Sequence, residues 1–228
     1  MIDFEQAEIN AFTHSFPSIT IRGCFFHMTQ AIWRHIQSDS ELLSHYLDRD
    51  AGSDWSIKIR QMVSLAFVPV EDVFDAFYGL LHTQFYQDNE SVLDKLITYY
   101  EATWIGKILR NGDRQEPRFP IPLWNQYAAT LQGIPKTNNA VEGWHRAFSS
   151  LLSSHHPSIW KFLDALRLEQ SLTEAKIEQY ISGTQPPRSR KVYRDTAENI
   201  ILIVSDYVNR PINDYLRGIA YNFNLQTN

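Results

Sequence analysis

The sequence predicts a mainly α-helical protein with a small β contribution near its N-terminus, and three observations carry this prediction. Apolar residues recur at three- and four-residue spacing over residues 40–133, as they do on the buried faces of successive helices. A clear alternation of β-branched and polar residues occurs over residues 18–23, which predicts one short strand. The chain is 43% hydrophobic and 13% aromatic, which is enough for a substantial core.

Apolar periodicity and helix-ending residues define the individual elements. The first helix follows Asp3, which we interpret as its N-cap, and Pro17 ends it. The predicted strand and a second helix come next, and from there on the pattern is helical. The predicted helical segments are 4–15, 28–36, 42–47, 57–67, 70–81, 92–100, 124–131, 139–153, 157–181, 192–208 and 212–219.

Length and composition limit the class of protein. A chain of 228 residues allows one large domain or two small ones. The net charge of −5, from 21 Lys and Arg against 26 Asp and Glu, argues against coating nucleic acid by bulk charge but allows a local basic groove. The single cysteine, Cys24, excludes an internal disulfide and fits a reducing compartment. Asp3 and Glu5 stand where a secretory signal needs positive charge, and no apolar run approaches the ~20 residues of a membrane span. We therefore expect a soluble intracellular protein.

A polar stretch over residues 136–146 carries the densest group of candidate site residues. Glu142, His145 and Arg146 follow i, i+3, i+4 spacing and share one face of a predicted helix. A carboxylate there can hold a divalent cation, and a neighbouring cation can hold phosphate. The alternative is a capping box formed by Asn139 and Glu142, which needs no metal. Asp3 has two interpretations as well, a helix N-cap or a carboxylate at the carboxyl edge of a strand.

Two further motifs remain open at this stage. Cys24 and His27 form a C-x-x-H pair of the spacing used in zinc sites, but a structural zinc site needs four ligands. The alternative is a buried cysteine beside a hydrogen-bonded histidine. The basic run from Arg188 to Lys191 could touch phosphates or be an ordinary solvated loop.

Several short motifs occur together in a fixed order along residues 1–183. They are Asp3-Phe4-Glu5-x-Ala7-x-x-Asn10-Ala11, Phe16-Pro17, Gly23-Cys24-x-Phe26-His27-x-x-Gln30-Ala31-x-Trp33-Arg34, Glu101-x-Thr103-Trp104-Ile105-Gly106, Phe119-Pro120-Ile121-x-Leu123-Trp124-Asn125, Thr137-Asn138-Asn139-x-Val141-Glu142-Gly143-Trp144-His145-Arg146 and His156-Pro157-Ser158-Ile159-Trp160-Lys161-Phe162. This ordered set resembles the transposase domain of Mutator-like elements (MULEs), of the animal type associated with FLYWCH zinc fingers.

The resemblance implies a partial ribonuclease H-like fold that carries a large helical insertion. Strands of that fold present three acidic residues that bind two Mg²⁺ or Mn²⁺ ions, and these ions support DNA cleavage and strand transfer. Asp3 matches the second acid and Glu142 the third, so both are the implied catalytic and metal-binding residues. The Cys24 and His27 pair falls just after the following strand, as it does in the family.

The resemblance also implies partners and a domain division. The residues implied to contact nucleic acid are His27, Arg34, His145 and Arg146. The implied partners are DNA at transposon ends and a second copy of the chain, in the nucleus or otherwise the cytoplasm, with no membrane. The implied division is a ribonuclease H-like remnant over 1–39, a helical insertion over 40–135, the helix with the third acid and the long helix after it over 136–182, and a helical tail over 183–228.

The match departs from the family at its beginning, because the first acid and its strand should lie before Asp3. We therefore expect this chain alone to hold metal weakly and not to cleave DNA. The alternative is a non-catalytic, domesticated helical module that binds DNA or protein.

Overall fold

The computed structural model describes residues 1–48, 55–110, 112–154, 156–188 and 190–225. The mainly α-helical fold class is confirmed. The α-helices of these ranges, numbered α1 to α13, are Gln6–Ser15, Phe25–Gln37, Ser40–Leu47, Trp55–Val63, Val73–Leu81, Gln84–Asp88, Glu90–Tyr100, Ile121–Trp124, Tyr127–Leu131, Asn139–Leu152, Ile159–Ile181, Lys191–Ser205 and Ile212–Ala220. Short 3₁₀ turns occur at Ser64–Phe67, Val70–Asp72 and Tyr207–Asn209, and a π-helical turn at Glu101–Ile105 continues α7.

The predicted strand over residues 18–23 is largely wrong. The structure has a single parallel bridge there, between Ile2 and Gly23, in which Ile2 N–H donates to Arg22 O and Cys24 N–H donates to Ile2 O, both at 2.9 Å. Gly23 N–H turns the other way and donates to the carbonyl of Leu123, in α8, at 2.7 Å. The β contribution within the described ranges is therefore this bridge and one antiparallel bridge, between Ile108 and Arg114.

The prediction that Asp3 caps the first helix is also wrong. Helix α1 begins at Gln6, and its N-cap is Glu5, which makes no side-chain capping bond. The bridge at Ile2 and the packing of the Phe4 ring against Trp104 draw the first residues into the body of the protein. These tertiary contacts delay the start of the helix by two residues.

The helix predicted over residues 124–131 is split into α8 and α9 by side-chain bonds. Asn125 Nδ2 donates to Val68 O at 2.7 Å, and Asn125 Oδ1 accepts from Tyr127 N–H at 2.9 Å. Gln126 N–H donates to Ala66 O. Asn125 and Gln126, between the two helices, thus donate hydrogen bonds to the carbonyls of Val68 and Ala66 at the end of the 3₁₀ turn Ser64–Phe67, in the core.

Helix α4 and the 3₁₀ turn after it form the centre of the core. Their buried apolar side chains are Trp55, Ile57, Ile59, Met62, Val63, Leu65, Ala66 and Phe67. Tyrosine hydroxyls from distant helices donate to the carbonyls of this segment: Tyr86 to Lys58 O at 2.7 Å, Tyr100 to Met62 O at 2.9 Å, and Tyr215 to Phe67 O. Burial raises the pKa of Tyr86, Tyr100 and Tyr215. These hydroxyls therefore stay protonated and serve as donors.

Removal of one hydroxyl tests this arrangement. We expect Tyr100→Phe to lower the free energy of unfolding by ~1.5 kcal/mol, because the buried Met62 carbonyl loses its partner. The matched control is Tyr221→Phe, since Tyr221 is 64% exposed. Urea denaturation measures both variants, and equal stability of the two would contradict the proposed role of the hydroxyl.

The chain divides into two compact units. The large unit is Met1–Thr137 with Asp195–Asn228, and the small unit is Asn138–Arg194. In the large unit, α2 packs on α3 and α7, and α13 packs on α4. The predicted segments 1–39 and 40–135 therefore belong to one unit. In the small unit, α10 packs on α11 around Phe148 and Ala165. No helix among the described residues is long and apolar enough to cross a bilayer.

Candidate functional site

Asp3 is held between two anchored neighbours in the large unit. Ile2, on one side, is buried and forms the parallel bridge with Gly23. Phe4, on the other side, packs its ring 4.9 Å from the Trp104 ring and 5.0 Å from the Phe119 ring. The backbone of Asp3 is consequently fixed although its side chain is 45% exposed. A carboxylate with this support has a defined position and remains open to solvent.

Gly23 allows Phe4 to come this close. A Cβ placed on Gly23 would lie 2.3 Å from Phe4 Cζ, which is far inside van der Waals contact. Gln126 Nε2 donates to Gly23 O at 3.1 Å and holds this backbone in place. The absence of a side chain at Gly23 is thus a requirement of the packing that positions Asp3.

The structure brings Asp3 and His27 together. Asp3 Oδ1 lies 2.9 Å from His27 Nδ1, and His27 lies in the first turn of α2. At this distance the carboxylate forms an ion pair with the imidazole when the ring is protonated. The two side chains thus form an acid–imidazole pair at the edge of the parallel bridge.

The remaining predicted residues of this region lie at the two ends of α2: Cys24 before its first turn and Arg34 in its last. Cys24 is the fully buried N-cap residue of the helix, with its N–H bonded to Ile2 O. Arg34 is exposed and lies seven residues after His27, so it occupies the same side of α2 two turns further on. Among the described residues, no three His, Cys, Asp or Glu side chains cluster in a way that could hold a metal ion.

Lys136 lies next to this region, although the sequence analysis assigned it no role. Lys136 O accepts from the N–H of Phe25, the first residue of α2, at 2.9 Å. Lys136 Nζ lies 5.9 Å from the centre of the Phe67 ring, and burial lowers the pKa of the ammonium. In the sequence, Lys136 stands directly before the motif that begins at Thr137. Only the fold shows that Lys136 lies against α2.

Glu142, His145 and Arg146 lie on α10 in the small unit, as predicted. The helix begins at Asn139 and its N-cap is Asn138, so Glu142 falls one residue too late for the capping box with Asn139. The predicted capping box with Asn139 as the N-cap is therefore wrong. Glu142 is partly exposed, and His145 and Arg146 are exposed.

Aromatic packing fixes the rotation of α10 against α11. Trp144 stacks on Phe148 with ring centres 5.2 Å apart, and Phe148 contacts the Phe162 ring edge-to-face at 5.9 Å. Trp144 Nε1 also donates to Glu169 Oε1 at 3.0 Å. These contacts fix which face of α10 turns toward α11. Asp3 belongs to the large unit and Glu142 to the small unit.

Comparison of the chain with family models, with curated proteins and with solved structures found no match in any of the three. The geometry of the two units and the ordered motifs are therefore the basis for a functional assignment.

Proposed function

We propose that this chain forms part of a MULE-type DDE transposase catalytic domain of ribonuclease H-like ancestry that acts on DNA. Asp3 and Glu142 would be two of its carboxylate metal ligands. The observation that carries the proposal is the Asp3–His27 pair, which joins the second-acid motif to the C-x-x-H motif at one parallel bridge. The order of the remaining motifs along the sequence supports it.

The donor set fits the metal that the proposal requires. Mg²⁺ and Mn²⁺ prefer hard oxygen ligands, and both Asp3 and Glu142 offer carboxylates that reach solvent. When bound, such ions activate an attacking oxygen and stabilise the leaving oxygen of a phosphodiester. His27 would orient the Asp3 carboxylate through the contact at Nδ1, as outer partners of metal ligands do. His145 and Arg146, one turn along from Glu142, would face the nucleic acid.

Metal affinity tests the proposal independently of cleavage. We expect Asp3→Asn and Glu142→Gln each to weaken Mn²⁺ binding by about tenfold or more, because each removes an anionic ligand. Mn²⁺ electron paramagnetic resonance of the full chain measures the free ion in each titration. The matched controls are Glu5→Gln and Glu178→Gln, which remove the same charge from exposed positions of the two units.

The double variant Asp3→Asn with Glu142→Gln decides whether one ion is involved. If both residues hold the same ion, the loss in the double variant is smaller than the sum of the two single losses. If the losses of Mn²⁺ affinity simply add, the two carboxylates do not hold the same ion. Affinities equal to those of the controls would overturn the assignment of both residues.

A further inference from the structure

The second half of α11 extends beyond the core of the small unit. The contacts of α11 with α10 are made at Phe162, Ala165, Leu166 and Glu169, in the first half of the helix. Every residue over 170–181 is exposed. A helix draws most of its stability from the packing of an apolar face, and about twelve residues without such packing are marginal in water. This stretch is therefore a candidate for contact with another helix.

A row of aliphatic side chains follows α11 into this exposed stretch. We call Ala165, Leu168, Leu172 and Ala175 the α11 stripe. Their spacing of three, four and three residues is the heptad pattern of a coiled coil. Leu168 is 49% exposed and Leu172 is 47% exposed. The small side chains of the two alanines allow a second helix axis to come close. The α11 stripe thus has the pattern of one half of a helix pair.

The charges that flank the α11 stripe are arranged symmetrically along the helix. Glu169 and Lys176 lie along one edge of the stripe. Arg167 and Glu178 lie along the other edge. Both pairs are centred on the point midway between positions 172 and 173. Two antiparallel copies of the helix that cross at this point would place a cation opposite an anion at all four flanking contacts. A parallel pair in register would instead place each charge opposite its equal.

We propose that two copies of this chain associate through the α11 stripe, with the two helices antiparallel and the two-fold axis beside Leu172. Lys176 of each copy then pairs with Glu169 of the other, and Arg167 of each copy pairs with Glu178 of the other. Glu169 is already held in position, because its Oε1 accepts from Trp144 Nε1 at 3.0 Å. The same surface patch serves on both sides of such an interface, as two-fold symmetry requires.

The charges of α11 favour a second copy over other occupants. Glu174 and Glu178 are like charges one turn apart, and Arg167 of a second copy would offset their repulsion. The edges of the stripe carry both signs of charge, whereas DNA and anionic membranes attract cations. The paired stretch 165–179 is about 21 Å long, so the interface is small. We therefore expect a dimer that exchanges with the monomer at micromolar concentrations.

Charge reversal tests the pairing. Sedimentation velocity measures the association of the full chain, without metal or DNA, from ~1 to ~300 µM, and the native chain should form dimers within this range. Arg167→Glu and Glu178→Arg should each weaken association on the order of tenfold or more, because each turns two attractive contacts per dimer into repulsive ones. An equimolar mixture of the two variants should regain the native affinity, since every facing pair in the mixed dimer again has opposite charges.

The mixture separates pairing from the stability of the helix itself. Within a single helix the two substitutions act in opposite directions. Arg167→Glu loses the surface pair with Asp164 at 3.7 Å, whereas Glu178→Arg removes the repulsion with Glu174. A loss of affinity in both variants with recovery in the mixture is therefore the signature of contacts between copies.

Matched controls reverse the same charges outside α11. Arg188→Glu and Glu198→Arg change exposed residues and should leave the affinity of the chain for itself unchanged. A native chain that stays monomeric up to ~300 µM would overturn the proposal. A mixture of Arg167→Glu and Glu178→Arg that associates no better than its two components would overturn it as well.

Cysteine cross-linking locates the two-fold axis. Leu172→Cys should give a disulfide-linked dimer under mild oxidation, because the two introduced thiols meet beside the axis. The control is Gln170→Cys, which lies on the opposite side of α11 and should stay monomeric. Cys24 is fully buried and does not take part. Equal cross-linking of the two variants would overturn the proposed contact. This outcome is independent of the Mn²⁺ titrations, because no metal is present.

Discussion

Gly23→Ala is expected to destabilise the protein by ~3 kcal/mol and to weaken the proposed metal binding at Asp3. The added Cβ would meet the Phe4 ring at 2.3 Å, and that ring cannot withdraw freely because Trp104 and Phe119 pack against it. Overpacking of a filled core costs ~1–3 kcal/mol. Movement of Phe4 also displaces its neighbour Asp3. Urea denaturation and the Mn²⁺ titration measure the two effects on one sample.

Gly79→Ala is the control, and it is expected to raise stability where Gly23→Ala lowers it. Gly79 is an exposed residue inside α5, and no atom lies within 4 Å of a Cβ built there. Alanine has the higher helix propensity, so this variant should gain ~0.5–1 kcal/mol. If both glycine variants changed stability in the same direction, the close approach of Phe4 to Gly23 would not be a constraint on the fold.

Arg60→Met is expected to lower the free energy of unfolding by ~3 kcal/mol. Arg60 is buried on α4, where Nη1 donates to Phe223 O at 2.5 Å and to Asn224 Oδ1 at 2.9 Å. Hydrogen bonds from a charged donor contribute ~1.5–3 kcal/mol each before the cost of burying the charge is subtracted. Methionine keeps the apolar stem but gives these acceptors no donor.

Hydrogen exchange locates the effect of Arg60→Met. Exchange should accelerate first in α13 and the residues after it, since Arg60 ties that end of the chain to α4. The matched control is Arg217→Met, whose side chain is 56% exposed and pairs with Asp214 at the surface. Surface pairs of this kind contribute little, so stability should barely change. Equal losses in the two variants, or uniform acceleration of exchange, would contradict the anchoring role of Arg60.

Most of the longer helices were predictable because each depends on apolar spacing within a few residues of chain, whereas α6, Gln84–Asp88, has no counterpart among the predicted segments. Helix α7, for example, has Leu93, Leu96 and Tyr100 buried at three- and four-residue spacing. The interruption between α8 and α9 was not predictable. It depends on bonds from Asn125 and Gln126 to carbonyls almost sixty residues earlier, and no local pattern reports such partners.

The contacts of the candidate site were likewise not predictable from local sequence. The C-x-x-H spacing singled out His27, but the contact with Asp3 arises from the bridge of Ile2 to Gly23, twenty-one residues apart. From local sequence, Asp3 before a helical pattern indicated an N-cap, and long-range packing of Phe4 overruled that preference. The capping box of Glu142 required Asn139 as the N-cap. The N-cap is Asn138, one residue earlier, so the prediction was wrong by one position.

The hydroxyl bonds on the central helix have a consequence for synthesis of the chain. The carbonyl of Phe67 receives its donor from Tyr215, 148 residues later. During translation this carbonyl therefore stays hydrated until the chain has been made as far as Tyr215 and that residue has left the ribosome. A nascent chain halted before Tyr215 would expose this interior to water and to chaperones, and long-range closures of this kind make folding slow.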